Sequence, residues 1–223
     1  RDLPRPDSEL APLAAAIGER GALATVAAWD DPAVEWDGFD CAVLRSTWNY
    51  VRNFSAFTAW LAAVDRATSL VNPLETVRWN IHKRYLLELA EEGIAVVPTE
   101  LVEPGVMPAW ERCFARWGDL VVKPAISAGS FGTIQVAAGD ATAAARHRES
   151  HAERAMLIQP LLRSVLTEGE RNLVFIDGAF SHAVWKGARW SGQNEASGGP
   201  VIPEPDEIEL GRQVLAAVGR RGP

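Results

Sequence analysis

Lysine is rare in this chain, and its three positions suggest phosphate chemistry. The 22 basic residues comprise 19 arginines and only three lysines, Lys83, Lys123 and Lys186. A lysine ammonium binds a phosphate as a compact point charge on a flexible stem, whereas the planar guanidinium of arginine demands its own geometry. The alternative is chance in an arginine-rich composition, and the sequences around the three lysines decide between the two.

Lys123 stands directly before a run of small residues, 125–133, which we call the small-residue loop. The sequence Val122-Lys-Pro-Ala-Ile-Ser-Ala-Gly-Ser-Phe-Gly-Thr133 places a cation at a strand end and then residues whose backbone amides can close on an anion. It is not a Walker A loop, because no Gly-Lys-Ser or Gly-Lys-Thr follows the glycines, and in protein kinases the glycine-rich loop precedes the strand lysine. The pattern predicts a phosphate-binding loop, with a glycine-rich hairpin and a surface lysine as the alternative.

The composition is that of a globular protein without a polyanion-binding surface. The 223 residues are 48% hydrophobic, enough for one large or two small cores, and the formal net charge of -7 argues against nucleic acid or an anionic membrane as a partner. Cys41 and Cys113 lack metal-ligand spacing and favour free thiols. No apolar run approaches the roughly 20 residues that span a bilayer, and no secretory signal opens the chain. We therefore expect a cytoplasmic protein.

Hydrophobic periodicity predicts an α/β arrangement in the first part of the chain. Three segments have helical spacing and three short apolar runs have strand length. The helices cover 8–21, 54–64 and 80–92, and the strands cover 22–28, 41–44 and 70–71. Alternation of this kind predicts a parallel sheet with ligand groups past the carboxyl ends of its strands. Arg45 lies at such an end and could bind a substrate carboxylate, with a helix-capping loop as the alternative.

A second unit begins after Pro98, where the pattern changes. Helices are predicted over 109–117, 141–152 and 204–218, and strands over 120–124 and 155–159. Two further strands, 172–176 and 179–185, flank Asp177-Gly178. That dipeptide is typical of a two-residue hairpin turn.

The order of these motifs resembles the ATP-grasp enzymes, especially the glutathione synthetase-like branch, over nearly the whole chain. The resemblance rests on the Lys123 segment already described and on Leu70-Val-Asn-Pro73, Asn80-Ile-His-Lys83, Leu157-Ile-Gln-Pro-Leu-Leu162, Glu168-Gly-Glu-Arg-Asn172, Ser181-His-Ala-Val-Trp-Lys186 and Asn194-Glu-Ala-Ser-Gly-Gly199. It implies an α/β (α+β) ATP-grasp fold in which two α+β subdomains clamp ATP. The implied parts are an N-terminal preATP-grasp domain at 1–79, a central lid subdomain at 80–157 and a C-terminal subdomain at 158–223.

The resemblance also implies roles for individual residues in ATP binding. Lys83 and Lys123 would contact the phosphates, and Glu170 would accept hydrogen bonds from the ribose hydroxyls, unless it is merely a solvated turn carboxylate. Lys186 would neutralise the γ-phosphate and the acyl phosphate formed from it. The loop over the phosphates would consist of Ser127, Gly129, Ser130 and Gly132. The hinge that reads adenine through its backbone would consist of Gln159, Pro160, Leu161 and Leu162.

Within the family, Arg45-Ser-Thr-Trp48 and Val77-Arg-Trp-Asn80 are similar to ligases that act on small amino-acid derivatives, including the cycloserine-forming ligases. The resemblance implies an ATP-dependent carboxylate-amine ligase with an acyl-phosphate intermediate, for example closing O-ureido-D-serine to D-cycloserine. Its catalytic residues would be Lys186, Arg45 and Asn194. ATP and Mg²⁺ would be its cofactors, and, as is common in this branch, it would form a homodimer.

The implied Mg²⁺ site is the one departure from the family pattern. Its carboxylates belong to two late strands that would follow Pro223, and a first β-strand would precede Arg1. We therefore expect further residues beyond both ends of this sequence and assign no metal ligand within it. The alternative is a nucleotide-binding ATP-grasp module without ligase activity.

Overall fold

The computed structural model describes residues 7–187 and 197–220. These residues divide into two compact units. The first unit contains the chain up to Ile81 together with Ser127–Gly129, and the second contains His82–Ile126 and the residues from Ser130 onward. The further subdivision at 157/158, which falls within a strand, stays a prediction.

The first unit has the predicted α/β character. Its elements are α1 (Leu10–Gly18), β1 (Cys41–Val43), α2 (Phe54–Ala67), β2 (Ser69–Val71) and α3 (Leu74–Ile81). The two strands pair in parallel, as the alternation predicts, with Ala42 opposite Leu70. Helix α2 covers them with Phe57, Leu61 and Val64, which form a buried core with both strand residues. This packing fixes the carboxyl end of β1.

The strand predicted over 22–28 is wrong. In the part of the chain that the structure describes, this run has no strand partner, and Leu23 and Val26 are exposed. Four of its seven residues are alanine, which strands disfavour, and a strand is stable only when a neighbouring strand pairs with it. The prediction was wrong because it rested on the apolar content of the run alone.

The second unit contains two antiparallel sheets. Its elements are α4 (Tyr85–Glu91), β3 (Glu100–Val102), α5 (Trp110–Trp117), β4 (Leu120–Pro124), β5 (Ile134–Val136), α6 (Ala141–Ser150), β6 (Met156–Pro160), α7 (Ser164–Thr167), β7 (Glu170–Ile176), β8 (Ala179–Lys186), β9 (Ser197–Val201) and α8 (Pro205–Gly219). One sheet has the order β3-β6-β4-β5 and the other the order β7-β8-β9. Helices α5 and α6 bury Cys113 and Ala144 in the core of the four-stranded sheet, beside Leu120, Val122 and Ile158.

The predicted hairpin is confirmed: Asp177 and Gly178 both have positive φ and join β7 to β8. Helix α8 lies close to β7, because a Cβ at Gly211 would come within 2.5 Å of the Phe175 ring. Cys41 and Cys113 are both free. None of the described helices is long and apolar enough to cross a membrane.

The single helix predicted over 80–92 is also wrong, because the chain breaks it between α3 and α4. The amide of Lys83 donates to the Ala125 carbonyl at 2.9 Å, and the amide of Arg84 donates to Nδ1 of His82 at 3.1 Å. Both amides are thereby withdrawn from the backbone ladder that a continuous helix requires. The break brings Lys83 to the end of β4, the strand that carries Lys123.

Candidate functional site

Lys83 and Lys123 interact electrostatically in the second unit. Burial and, to a lesser degree, repulsion by Lys123 lower the pKa of Lys83 to about 8. The backbone fixes this arrangement, because the Lys83 amide binds Ala125 and Lys123 is paired within β4 and β6 opposite Leu157. Two ammonium groups held together are unfavourable by themselves, and a ligand with several negative charges would stabilise both. The pair therefore fits a polyphosphate.

Nucleotide affinity is expected to fall as the pH rises through about 8, since Lys83 then loses its proton.

The same lysine has the opposite effect on the folding stability of the protein without nucleotide. Its pKa is lower in the folded chain than its ordinary 10.5, so the unfolded chain binds more protons between these two values and stability rises with pH there. Lys83→Met should therefore raise the melting temperature at pH 7, with a gain that shrinks between pH 8 and 10.5, and should weaken ATP binding. Calorimetric binding and thermal unfolding across this range measure both effects.

Lys83→Arg is the matched control, because a guanidinium stays charged throughout this pH range. It should bind ATP without a step near pH 8. A wild-type affinity that stays flat between pH 7 and 9 would contradict the coupling of the two lysines.

The small-residue loop has a strongly turned backbone. Gly129, Ser130 and Gly132 have φ values of 58°, 60° and 66°, in the left-handed region that disfavours a side chain. Ser127 is buried, and the Thr133 amide donates to the Ser130 carbonyl at 3.1 Å. Turned segments of this kind expose successive amides toward an anion. The sequence predicted the loop from its small residues, but it did not indicate that Ser130 has a left-handed backbone like the two glycines.

The predicted hinge leaves few amides for adenine. Gln159 is buried in β6 and its Nε2 donates to Oγ1 of Thr99 at 2.8 Å. Pro160 has no amide hydrogen, and the Leu161 amide already donates to the Asp119 carbonyl at 2.9 Å. Leu162 therefore remains a candidate amide donor to adenine in the predicted hinge.

Glu170 and Lys186 are directly opposite each other in the β7-β8 pairing. Directly opposed residues of an antiparallel pair project from the same face, about 5 Å apart at Cβ. The residues predicted to bind ribose and to neutralise the transferred phosphoryl group thus share one face of one sheet.

Trp185 and Gly198 fix the strands around this pair, and sequence reasoning missed both. The indole Nε1 of Trp185 donates to the Glu168 carbonyl at 2.6 Å, two residues before Glu170. A Cβ at Gly198 would come within 2.2 Å of the Trp185 ring. Only glycine therefore allows β9 to approach β8 this closely.

Arg45 lies in the first unit and has acidic partners of its own. It contacts Asp7 at 3.2 Å and Glu9 at 2.5 Å, and the hydrogen bond to Glu9 is the main reason that the pKa of Arg45 is raised. The Ser46 hydroxyl also donates to Asp7 and lowers the pKa of that carboxyl. The predicted role of Arg45 toward a substrate carboxylate stays a prediction. Asn194 lies outside the described residues.

No group of three or more His, Cys, Asp or Glu side chains in 7–187 and 197–220 is arranged to hold a metal ion. We therefore assign no metal ligand among these residues. The chemistry that we assign to this chain rests on its cations and backbone amides.

Comparison with known proteins identifies the family. The sequence profile of the N-terminal domain of D-cycloserine synthetase DcsG matches residues 1–72. The chain is 35% identical over 193 residues to the cycloserine biosynthesis protein DcsG of Streptomyces lavendulae, covering 82% of this chain and 63% of that protein. The crystal structure of D-cycloserine synthetase DcsG superposes with a TM-score of 0.86 at 30% identity, covering 94% of this chain and 75% of the other. This chain belongs to the DcsG family.

More distant structures define the fold of the DcsG family member as ATP-grasp, as the sequence predicted. An ATP-grasp RimK domain protein from Sphaerobacter thermophilus has a TM-score of 0.63 at 19% identity, covering 96% of this chain and 79% of that protein. The ATP-grasp ligase PsnB, solved with its minimal precursor, Mg and ADP, has a TM-score of 0.61 at 20% identity, covering 96% and 78%. The chain spans 63% of the length of the curated DcsG relative, so its own activity is a matter for proposal.

Proposed function

We propose that this chain is an ATP-dependent ligase that forms a C–N bond. In this reaction ATP transfers its γ-phosphoryl group to an oxygen of a small substrate carboxylate. A nitrogen nucleophile then attacks the acyl carbon, loses a proton and releases inorganic phosphate. The observation that carries the proposal is the half-buried, mutually repelling pair Lys83 and Lys123 in a chain of the DcsG family.

The proposed ATP site combines the two lysines, the small-residue loop, the hinge and the Glu170–Lys186 pair. Lys83 and Lys123 bind the phosphates under the small-residue loop, the hinge binds adenine, and Glu170 accepts hydrogen bonds from the ribose. Lys186 faces the charge that grows on the transferring phosphoryl group, and such preorganised cations are the main protein contribution to phosphoryl transfer. The ATP-grasp ligase PsnB is solved with Mg and ADP, which supports Mg²⁺ as the companion ion of ATP, although no ligand for it is assigned among the described residues.

The proposed substrate is a small amino-acid derivative whose own nitrogen closes a ring, as in the formation of D-cycloserine from O-ureido-D-serine. In that case the carbamoyl group on the attacking nitrogen also leaves, and with water it yields CO2 and NH3. The names of the DcsG relatives support this choice. Arg45 is proposed to bind the amino acid's carboxylate, and Asn194 stays a predicted catalytic residue. Homodimer formation is likewise a prediction.

Hydroxylamine trapping tests the proposal. The chain is incubated with ATP, Mg²⁺, hydroxylamine and O-ureido-D-serine, and both ADP and hydroxamate are measured, with D-serine as the comparison substrate. ADP release that depends on O-ureido-D-serine, together with its hydroxamate, is the expected result. ATP binding without ADP release would favour a nucleotide-binding module, and failure to bind ATP would overturn both functions.

Lys186→Ala is expected to lower kcat by about 100- to 1,000-fold while changing the Kd for ATP by less than tenfold. A group that acts on charge developing in the transition state affects turnover more than ground-state binding. Steady-state ADP release and calorimetric ATP binding separate the two quantities. Lys186→Arg keeps the cation and should recover part of kcat, whereas equal losses in kcat and affinity would assign Lys186 to simple ATP binding.

A further inference from the structure

Helix α6 carries a histidine pair that contacts the end of the small-residue loop. Nε2 of His147 lies 2.8 Å from the Gly132 carbonyl oxygen. A carbonyl only accepts hydrogen bonds, so Nε2 carries the hydrogen and donates. His147 and His151 are four residues apart, which places them on the same helix face, and their ring centroids are 4.4 Å apart.

His151 supports this contact from the same helix. Its Nδ1 donates to the His147 carbonyl at 3.0 Å, and its Nε2 lies close to Gly132, where an added Cβ would be 3.0 Å away. The same Cβ would be 2.8 Å from the Pro124 side chain. The left-handed Gly132 is thus enclosed between the end of β4 and the two histidines.

A second contact holds the loop one residue earlier. The guanidinium of Arg154 lies 5.5 Å from the centre of the Phe131 ring, within the range of a cation–π interaction. The described loop residues Phe131 and Gly132 are therefore both fastened to the segment that contains α6 and the residues just after it.

We infer that His147 is a positioning residue that holds the small-residue loop in the conformation that binds the phosphates of ATP. This inference rests on the proposed ATP-binding function. His147 does not contact the nucleotide in this role: it acts through the Gly132 carbonyl, which belongs to the peptide between Gly132 and Thr133. Holding the loop in advance lowers the ordering cost of binding, so the effect belongs to ATP affinity rather than to the chemical step.

Hydrogen exchange and ATP binding together test the inference. His147→Leu removes the donor, and one hydrogen bond of ordinary strength corresponds to about a three- to tenfold change. The amides of 127–133 should therefore exchange about three- to tenfold faster in nucleotide-free protein, with β4 and β6 unchanged. The Kd for ATP should rise by a similar factor, while the KM for the carboxylate substrate and kcat at saturating ATP stay within twofold.

His147→Gln places an amide N–H near the position of Nε2 and should restore both the slow exchange of the loop and the Kd for ATP. The shorter side chain of His147→Asn cannot reach Gly132, so this variant should behave like His147→Leu. Should His147→Leu fail to fold, the comparison of these two variants carries the test. Arg146→Ala is the matched control, because Arg146 is an exposed residue of the same helix. It should leave exchange and affinity unchanged.

The outcomes separate this inference from the proposed function. Unchanged loop exchange in His147→Leu overturns the inference whether or not the protein binds ATP. Faster exchange with unchanged ATP affinity overturns it as well, because the loop would then be fastened without consequence for binding. Wild-type protein that binds no ATP overturns the proposed function instead.

Discussion

The Lys123→Ala variant is expected to lose about 10- to 100-fold in ATP affinity. Lys123 would donate charge-assisted hydrogen bonds to the phosphates, and bonds of this type contribute about 1.5 to 3 kcal/mol each. Lys123 lies near the end of β4, where pairing with Leu157 of β6 fixes its backbone, so neighbouring residues have little freedom to replace its ammonium. Calorimetric titration of the chain with ATP at pH 7 measures the loss.

The same variant has a second, independent readout on Lys83. Removal of the Lys123 charge abolishes the repulsion that contributes to the low pKa of Lys83, so this pKa should rise from about 8 toward its ordinary value. An NMR titration of the lysine side chains follows the change in the absence of nucleotide. Because burial is the larger cause, the rise should be partial.

Arg163→Ala is the control for a general loss of positive charge. Arg163 is an exposed cation just after the hinge, 3.9 Å from Asp119, and exposed ion pairs contribute little. Its removal should leave the Kd for ATP within twofold. Unchanged affinity in Lys123→Ala would contradict the assignment of the phosphates to this lysine.

The sequence predicted the ends of the strands well enough to place the lysines, but not how they meet. Lys123 and Lys186 fall at strand ends as expected, since β4 and the β7-β8 hairpin have clear local signals in their apolar runs and in Asp177-Gly178. The approach of Lys83 to Lys123 depends on the break before α4, and the hydrogen bond from the Lys83 amide to Ala125 creates it. No local propensity encodes a contact between such distant residues, so periodicity predicted one helix instead.

The loop and its supports show the same limit. Small residues predicted the loop, but its shape depends on His147, whose helix is separated from it by β5. The spacing of His147 and His151 was visible as two residues on one helix face. The contact of that face with Gly132 is a tertiary contact, which no local sequence pattern indicates.

Arg148 on α6 is buried, with 2% of its surface exposed, and serves as a donor to backbone carbonyls. Its Nε donates to Val106 at 2.9 Å, and its two terminal nitrogens donate to Glu103 at 3.0 Å, to His151 at 2.8 Å and to Ala152 at 3.2 Å. The cation therefore lies at the C-terminus of its helix, where the helix dipole favours it. It ties the loop after β3 to the end of α6.

Arg148→Met is expected to lower the free energy of unfolding by about 3 kcal/mol. Methionine fills much of the volume but donates no hydrogen bond, and a buried carbonyl left without a donor costs about 1 to 3 kcal/mol. Water will reach some of the four carbonyls, so the loss of stability stays below the sum of four separate penalties. Urea unfolding followed by circular dichroism measures the change.

Arg146→Ala on the same helix is the matched control, because Arg146 is exposed and should change stability by less than about 0.5 kcal/mol. Arg148→Lys keeps the charge but has a single nitrogen, which cannot reach carbonyls on both segments at once, so it should recover only part of the loss. Equal stability of Arg148→Met and wild type would show that the carbonyls find water or other donors.

Because Arg148 also holds the turn that contains His151, Arg148→Met should weaken ATP binding as well. The loss should be smaller than in Lys123→Ala, which removes a phosphate ligand directly.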